Sequence, residues 1–253
     1  MNRIINIIKQ FLIRNRSQIL LSKISNRFSN IISVDKTDLA WLKNNQSDLD
    51  DFLININSDL WQESKSIHNE INERANKILL ALNVKLGGGA SDKLLYFLVR
   101  LKKPNTIIET GVAAGFSSLS ILKAIDFNKK GKLYSSDFPY FRLKDPEKYI
   151  GVLVDKSIYK NWELEIEGDS VNIPKFLNSI EKIDLFHYDS DKSYNGKIKT
   201  FELVKPKLSD NSVVIFDDIQ DDNFFKNLVT KNKYQFKIFK VDNKFIGLIE
   251  SLK

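Results

Sequence analysis

From residue 104 onward, short apolar runs alternate with segments of helical spacing. The runs are TIIET (106–110), KLYSS (132–136), WELEI (162–166), IDLFHYD (183–189), SVVIFD (212–217), YQFKIFK (234–240) and KFIGLI (244–249). Runs this short and this rich in β-branched and aromatic residues predict strands. Helical segments fall between the first five strands and again near 222–231. Strands separated by helices require right-handed crossovers, so the pattern predicts a mainly parallel, doubly wound sheet covered on both faces. The last two strands, joined by Val241, Asp242 and Asn243, read as an antiparallel hairpin at one edge. The expected class is α/β with a seven-stranded sheet.

Ahead of this alternation the period changes to that of helices. In residues 36–103, Trp41, Leu42, Leu49, Phe52 and Leu53 mark one apolar face, and Ile67, Ile71, Ala75, Ile78 and Leu79 another. His68 beside the second face reads as a structural or surface histidine. LGGGAS (86–91) separates the last two helices, and Ser91 before Asp92 suits a helix start. Residues 1–35 form a third unit, an arm with Ile4, Ile5, Ile8, Phe11, Leu12, Ile19 and Leu20 at roughly helical spacing. The expected organisation is arm (1–35), helical cap (36–103) and a ligand-binding domain (104–253).

Charge sharpens this division. The net charge is +7, yet residues 1–34 carry Arg3, Lys9, Arg14, Arg16, Lys23 and Arg27 with no acid, leaving 33 basic against 32 acidic residues elsewhere. The balanced body argues against nucleic acid as a partner. The basic arm leaves two readings open: a helix packed on the domain or on a second copy in a homodimer, or peripheral contact with an anionic membrane surface. No run reaches the roughly 18–20 apolar residues that span a bilayer. Absence of cysteine excludes a disulfide framework and fits a reducing, cytoplasmic setting, with membrane association through the arm as the alternative.

The chemistry-bearing residues cluster where the strands end: Glu109 to Ser118, Asp137, Gly168 to Ser170, Asp189 to Tyr194, and Asp217 with Asp218. In a doubly wound sheet, ligands bind beyond those ends. In ETGVAAGFSS, Gly111 and Gly115 permit a tight turn and close approach, and Ser117 begins a helix whose free N–H groups suit an anionic group. The loop departs from the GxGxxG of dinucleotide sites, and Glu109 before its first glycine suits a cationic amino group. Asp137, 26 residues beyond Gly111, stands where a ribose-binding carboxylate belongs.

With these residues the sequence resembles the class I S-adenosylmethionine-dependent methyltransferases, which have a Rossmann-like sheet. It is particularly similar to the small-molecule O-methyltransferases acting on catechol or caffeoyl-CoA. The resemblance implies that Glu109, Gly111, Gly115 and Ser117 hold the methionine end of the cofactor and Asp137 its ribose, with Asp169 and Ser170 of GDS near the adenine. IDLFHYDSDKSYNG (183–196) and VVIFDDIQDDNFF (213–225) extend the resemblance. They imply Asp189, Asp217 and Asp218 as ligands of a divalent ion such as Mg²⁺ or Mn²⁺, and Asp189 and Lys192 as catalytic groups. A bound ion would lower the pKa of a coordinated hydroxyl, and Lys192, with its own pKa depressed, would take the proton. Two positions depart from the pattern. Asp218 replaces an asparagine, and Lys192 stands where the bacterial sugar and natural-product tailoring branch commonly has histidine.

The implied activity is methyl transfer to a hydroxyl of a small acceptor, such as a glycan, a sugar nucleotide or a natural product. A non-catalytic cofactor-binding protein, or an enzyme acting on nucleic acid or protein, are the alternatives, and the NPPY-like motif of nucleic-acid amino methyltransferases is absent. Residues 138–162 read as a helical insertion over the site, serving either as a lid or as a docked segment. His187, two residues before Asp189 on the same strand face, either reaches the site or is a hydrogen-bonded core histidine.

Overall fold

The computed structural model describes residues 38–84, Leu86, Gly89 and 91–251, together with Asn6, Ser17 and Leu21. The rest of the basic arm, with both readings of it, and Gly87 and Gly88 of the glycine run lie outside the described residues. No helix among the described residues is long and apolar enough to cross a membrane.

The cap is helical as its periodicity requires. Helix α1 (Leu39–Asn45) is capped by Asp38, α2 (Leu49–Ile56) by Asp48 and α3 (Ser58–Leu82) by Asn57, each side chain accepting an N–H of the first turn. Between α1 and α2 lies a two-residue strand, β1 (Gln46–Ser47). Helix α4 (Asp92–Lys102) buries Leu94 to Val99 without a break, because α3 covers one side of it while α5 (Phe116–Asn128) and the sheet cover the other.

The remaining strands are β2 (Thr106–Thr110), β3 (Lys132–Ser136), β4 (Trp162–Glu165), β5 (Ile183–Tyr188), β6 (Leu208–Phe216), β7 (Gln235–Val241) and β8 (Lys244–Ser251). Their order across the sheet is β1-β7-β8-β6-β5-β2-β3-β4, parallel except where β8 runs against β6 and β7. The sheet therefore has eight strands where the apolar runs predict seven. Gln46 and Ser47 pair with Ile238 and Phe239 through their backbones alone, both side chains being exposed, so no hydrophobic signal announces β1. The hairpin is present, with β1 rather than β7 at the outer edge.

Alternate residues of the central strands face two cores. Ile107, Leu133, Leu185, Val213 and Ile215 pack beneath α4 and α5. Ile108, Phe186, Tyr188, Val214 and Phe216 pack against α6 (Asp169–Leu177), α7 (Tyr194–Val204) and α8 (Phe224–Asn232). Burial on both faces explains why these strands read as continuous apolar runs. The insertion after β3 is not helical beyond two short 3₁₀ turns, Pro146–Tyr149 and Lys156–Asn161. It is tied to the β2–α5 loop by Gly151 N–H to the Ala113 carbonyl (2.9 Å) and Leu153 N–H to that of Ala114 (3.0 Å).

Candidate functional site

The loop after β2 is shaped by other parts of the chain passing close to it. Gly111 has φ +85°, and a Cβ there would lie 2.2 Å from the Asp189 carbonyl oxygen. Gly115, at φ +101°, would place a Cβ 3.0 Å from Cα of Gly151 in the insertion. Both glycines thus let the main chain of β5 and of the insertion close on the loop. Gly115 is also the N-cap of α5, where no side chain caps the helix, and Ser117 lies in its first turn, buried.

Asp137 braces this loop. One carboxylate oxygen accepts from the N–H groups of Val112 (3.2 Å) and Ala113 (2.7 Å), and the other from Phe138 (2.6 Å). Asp169, at the start of α6, accepts from the Ser136 hydroxyl (2.6 Å) at the end of β3 and from the Ser190 hydroxyl after β5. Ser170 is exposed beside it. The structure thus brings Gly111, Gly115, Asp137 and Asp169 around the ends of β2, β3 and β5.

Glu109 is fully buried and belongs to a polar knot under α4. Its Oε2 accepts from Ser118 (2.6 Å) and Ser135 (2.7 Å), and its Oε1 lies 3.8 Å from Nδ1 of His187. His187 Nε2 lies 3.2 Å from the Ser91 hydroxyl and 3.6 Å from Oδ1 of Asp217. Ser91 gives its one hydrogen to Oδ2 of Asp217 (3.1 Å), so it accepts from Nε2 of His187, which therefore carries a proton. A second proton on Nδ1 faces the otherwise unpartnered Glu109 Oε1. Burial opposes a charged ring, but Asp217 and Glu109 outweigh it and raise the His187 pKa to about 10. Of the two open readings, His187 is the hydrogen-bonded core histidine. Ser91, Ser118 and Ser135 escaped the sequence reading as partners because they come from three separate elements.

The acids after β5 and β6 come together around a lysine. Asp218 adopts a left-handed backbone at φ +53°, while Asp217 is engaged by Ser91 in the buried knot. Lys192 Nζ bonds both Asp189 and Asp218, and Lys244 of β8 lies 3.3 Å from Asp218. Lys197, fully buried on α7, donates to the Asp218 carbonyl (3.2 Å) and to Asp222 (3.0 Å), fixing the loop from behind. Lys197 and Lys244 sit outside any motif, and nothing in their sequence neighbourhood marks them.

Burial and the Asp217 carboxylate raise the Asp189 pKa to about 6, against the pull of Lys192. Lys192 itself moves the opposite way from a base: burial would lower its pKa, but Asp189 and Asp218 drive it well above the ordinary value. No three His, Asp or Glu residues among the described residues are arranged to hold a metal ion. Asp189, Asp217 and Asp218 accordingly do not fit a divalent-ion site as they stand, since Asp217 is committed to the buried knot and a lysine ammonium sits between the other two.

Residues 108–219 match the family model described as a methyltransferase domain. No curated protein sequence matches the chain. Among solved structures, a methyltransferase from Geobacter sulfurreducens superposes with TM-score 0.54 at 17% identity, covering 73% of this chain and 90% of that one. An O-methyltransferase from Bacillus cereus, solved in complex with S-adenosylhomocysteine, gives 0.56 at 15% identity over 74% and 91%. The O-methyltransferase TomG from Streptomyces achromogenes, involved in tomaymycin synthesis and solved with S-adenosylmethionine, gives 0.55 at 14% identity over 73% and 89%. At these identities the likeness establishes the fold, and the family match lies on the strands and loops that build the crevice. Residues 108–219 are thus similar to a methyltransferase domain, and the chain has the fold of the class I S-adenosylmethionine-dependent methyltransferases.

Proposed function

We propose that the protein binds S-adenosylmethionine against the Gly111–Gly115 loop and methylates a hydroxyl of a small molecule at the neighbouring ends of β5 and β6. The observation that carries this reading is the convergence of Asp137, Asp169 and Asp189 around the loop, with Glu109 buried beneath it. Such a set of carboxylate acceptors suits a ligand that combines cationic groups with ribose hydroxyls. The cofactor complexes of the Bacillus cereus and Streptomyces achromogenes proteins support the same ligand.

S-adenosylmethionine, when bound, supplies an electrophilic methyl group on a sulfonium sulfur that leaves with the bonding electron pair. The residues of the chain then have three tasks. The braced loop and the insertion hold the reacting partners in line and exclude water from one side, and positioning of this kind can supply much of the rate. Asp189, ionised above about pH 6, receives the hydroxyl proton. Lys192 stays protonated and stabilises negative charge on the acceptor oxygen. No step runs through a metal ion.

Calorimetric titration with S-adenosylhomocysteine tests the reading. One-to-one binding is expected, weakened roughly tenfold or more by Asp137→Ala, since hydrogen bonds to a charged group contribute about 1.5–3 kcal/mol. Labelled-methyl transfer to a panel of hydroxylated and aminated acceptors then decides the nucleophile. Absence of binding overturns the reading, and transfer confined to amines replaces the hydroxyl.

A further inference from the structure

Two carboxylates on neighbouring strand ends share one ammonium. Lys192 Nζ lies between Asp189, after β5, and Asp218, after β6, while Lys244 approaches the far side of Asp218 at 3.3 Å. Gln220 also donates to Asp218 (3.1 Å). Lys192 and Lys244 match the charges of Asp189 and Asp218, and a divalent ion placed between the two acids would have to expel the ammonium.

The lysine is held there by construction. Asp191 accepts the N–H of Ser193 (3.0 Å), and Ser193 caps α7 by accepting the N–H of Gly196 (3.0 Å), so the backbone on the C-terminal side of Lys192 is fixed. A Cβ on Gly196 would come 2.5 Å from the Asp191 carboxyl carbon, so the glycine is what lets this turn close. On the other side, Lys197 pins the carbonyl of Asp218, whose carboxylate accepts from Lys192. The third acid of the implied metal set, Asp217, is engaged by Ser91 and His187 in the buried knot. An ammonium has three N–H donors, two of which go to Asp189 and Asp218, and the side chain keeps 42% of its surface exposed.

We propose that Lys192 is the resident cation at the acceptor end of the crevice: its ammonium holds Asp189 and Asp218 together, presents its remaining N–H to the acceptor oxygen, and takes the place of a divalent ion. The role toward the acceptor rests on the function proposed above, whereas the exclusion of a divalent ion does not.

The test uses the full chain and Mn²⁺ as the probe, read by the paramagnetic resonance signal of free Mn²⁺ and by the thermal midpoint. Wild-type protein is expected to leave the Mn²⁺ signal unchanged and to melt at the same temperature with and without Mn²⁺. Lys192→Met is expected to melt lower, to take up Mn²⁺ and to regain part of the lost midpoint when it does, and adding Asp218→Asn abolishes that recovery. Lys192→Arg keeps a cation and is expected to behave as wild type, which keeps the proposal testable if Lys192→Met fails to fold. Uptake of one Mn²⁺ per wild-type chain that is lost in Asp189→Asn overturns the proposal, as does a Lys192→Met midpoint equal to that of wild type. Neither measurement involves the cofactor, so a failed S-adenosylhomocysteine titration overturns the proposed function and leaves this result standing.

Discussion

At the scale of single residues, Gly111 carries the sharpest constraint. Its φ of +85° costs an L-residue roughly 1–2 kcal/mol before any contact is considered. A methyl group there would also lie 2.2 Å from the Asp189 carbonyl oxygen, a backbone atom that only a shift of the β5 end can move. Gly111→Ala is therefore expected to lower the denaturation midpoint and to displace Asp189 along with the loop, losing cofactor binding and transfer together. Ala at Gly131, also at positive φ but facing the Pro104 carbonyl at the opposite end of β3, gives the control. It is expected to cost stability while sparing affinity for S-adenosylhomocysteine per folded molecule. Equal affinity in the Gly111 and Gly131 variants would separate the glycine from the site.

At the scale of elements, α7 and the loop after β6 are coupled by a buried ion pair. Lys197 and Asp222 are each almost fully buried and lie 3.0 Å apart, and Asp222 also accepts the N–H of Phe224 at the start of α8. Removing one partner of such a pair leaves an uncompensated charge in the core and costs about 3–5 kcal/mol. Lys197→Met is expected to fall by that amount in chemical denaturation. Combining it with Asp222→Asn, which removes the stranded charge and keeps the acceptor for Phe224, is expected to recover a large part. The same lysine holds the Asp218 carbonyl, so the single variant should also loosen the acid–lysine cluster. A double variant no more stable than the single one would mean that the cost of Lys197→Met is a packing loss and not an electrostatic one.

At the scale of the whole molecule, legibility followed burial. The apolar runs give β2 and β3 to their ends and β5 and β7 to within one residue, because each carries a buried apolar centre: Ile107 and Ile108, Leu133, Leu185 and Phe186, and Ile238 and Phe239. β6 starts four residues before its apolar run, since Ser209, Asp210 and Asn211 are polar and separate the half-buried Leu208 from the run. β1 was invisible for the same reason. The site was legible as a set of strand ends, because topology alone brings those ends together, but its contacts were not. The left-handed backbone of Asp218 has no sequence signal, and Ser91 and Lys244 arrive from the cap and the hairpin. The knot these contacts build joins α4, β2, β5 and β6, so its protonation acts on the stability of the entire fold. Between pH 6.5, the ordinary histidine value, and about 10, native His187 keeps a proton that the unfolded chain has released, so each rise in pH favours unfolding. Asp189 acts in the same direction at lower pH. Its pKa of about 6 against an ordinary 3.8 means that stability falls as pH rises through that interval. His68, raised by its bond to Asp92, adds a loss above 6.5. The lowered pKa values of Asp50, Glu63 and Asp218 oppose this only on the acid side, where those groups take up protons. Thermal midpoints are thus expected to decline steadily from mildly acidic pH to pH 10. His187→Gln is expected to melt lower than wild type at pH 6.5 and to lose most of the slope between 6.5 and 10. A variant whose midpoint falls as steeply as wild type over that range would show that the ring is neutral in the native protein and that serine hydroxyls alone hold the buried acids.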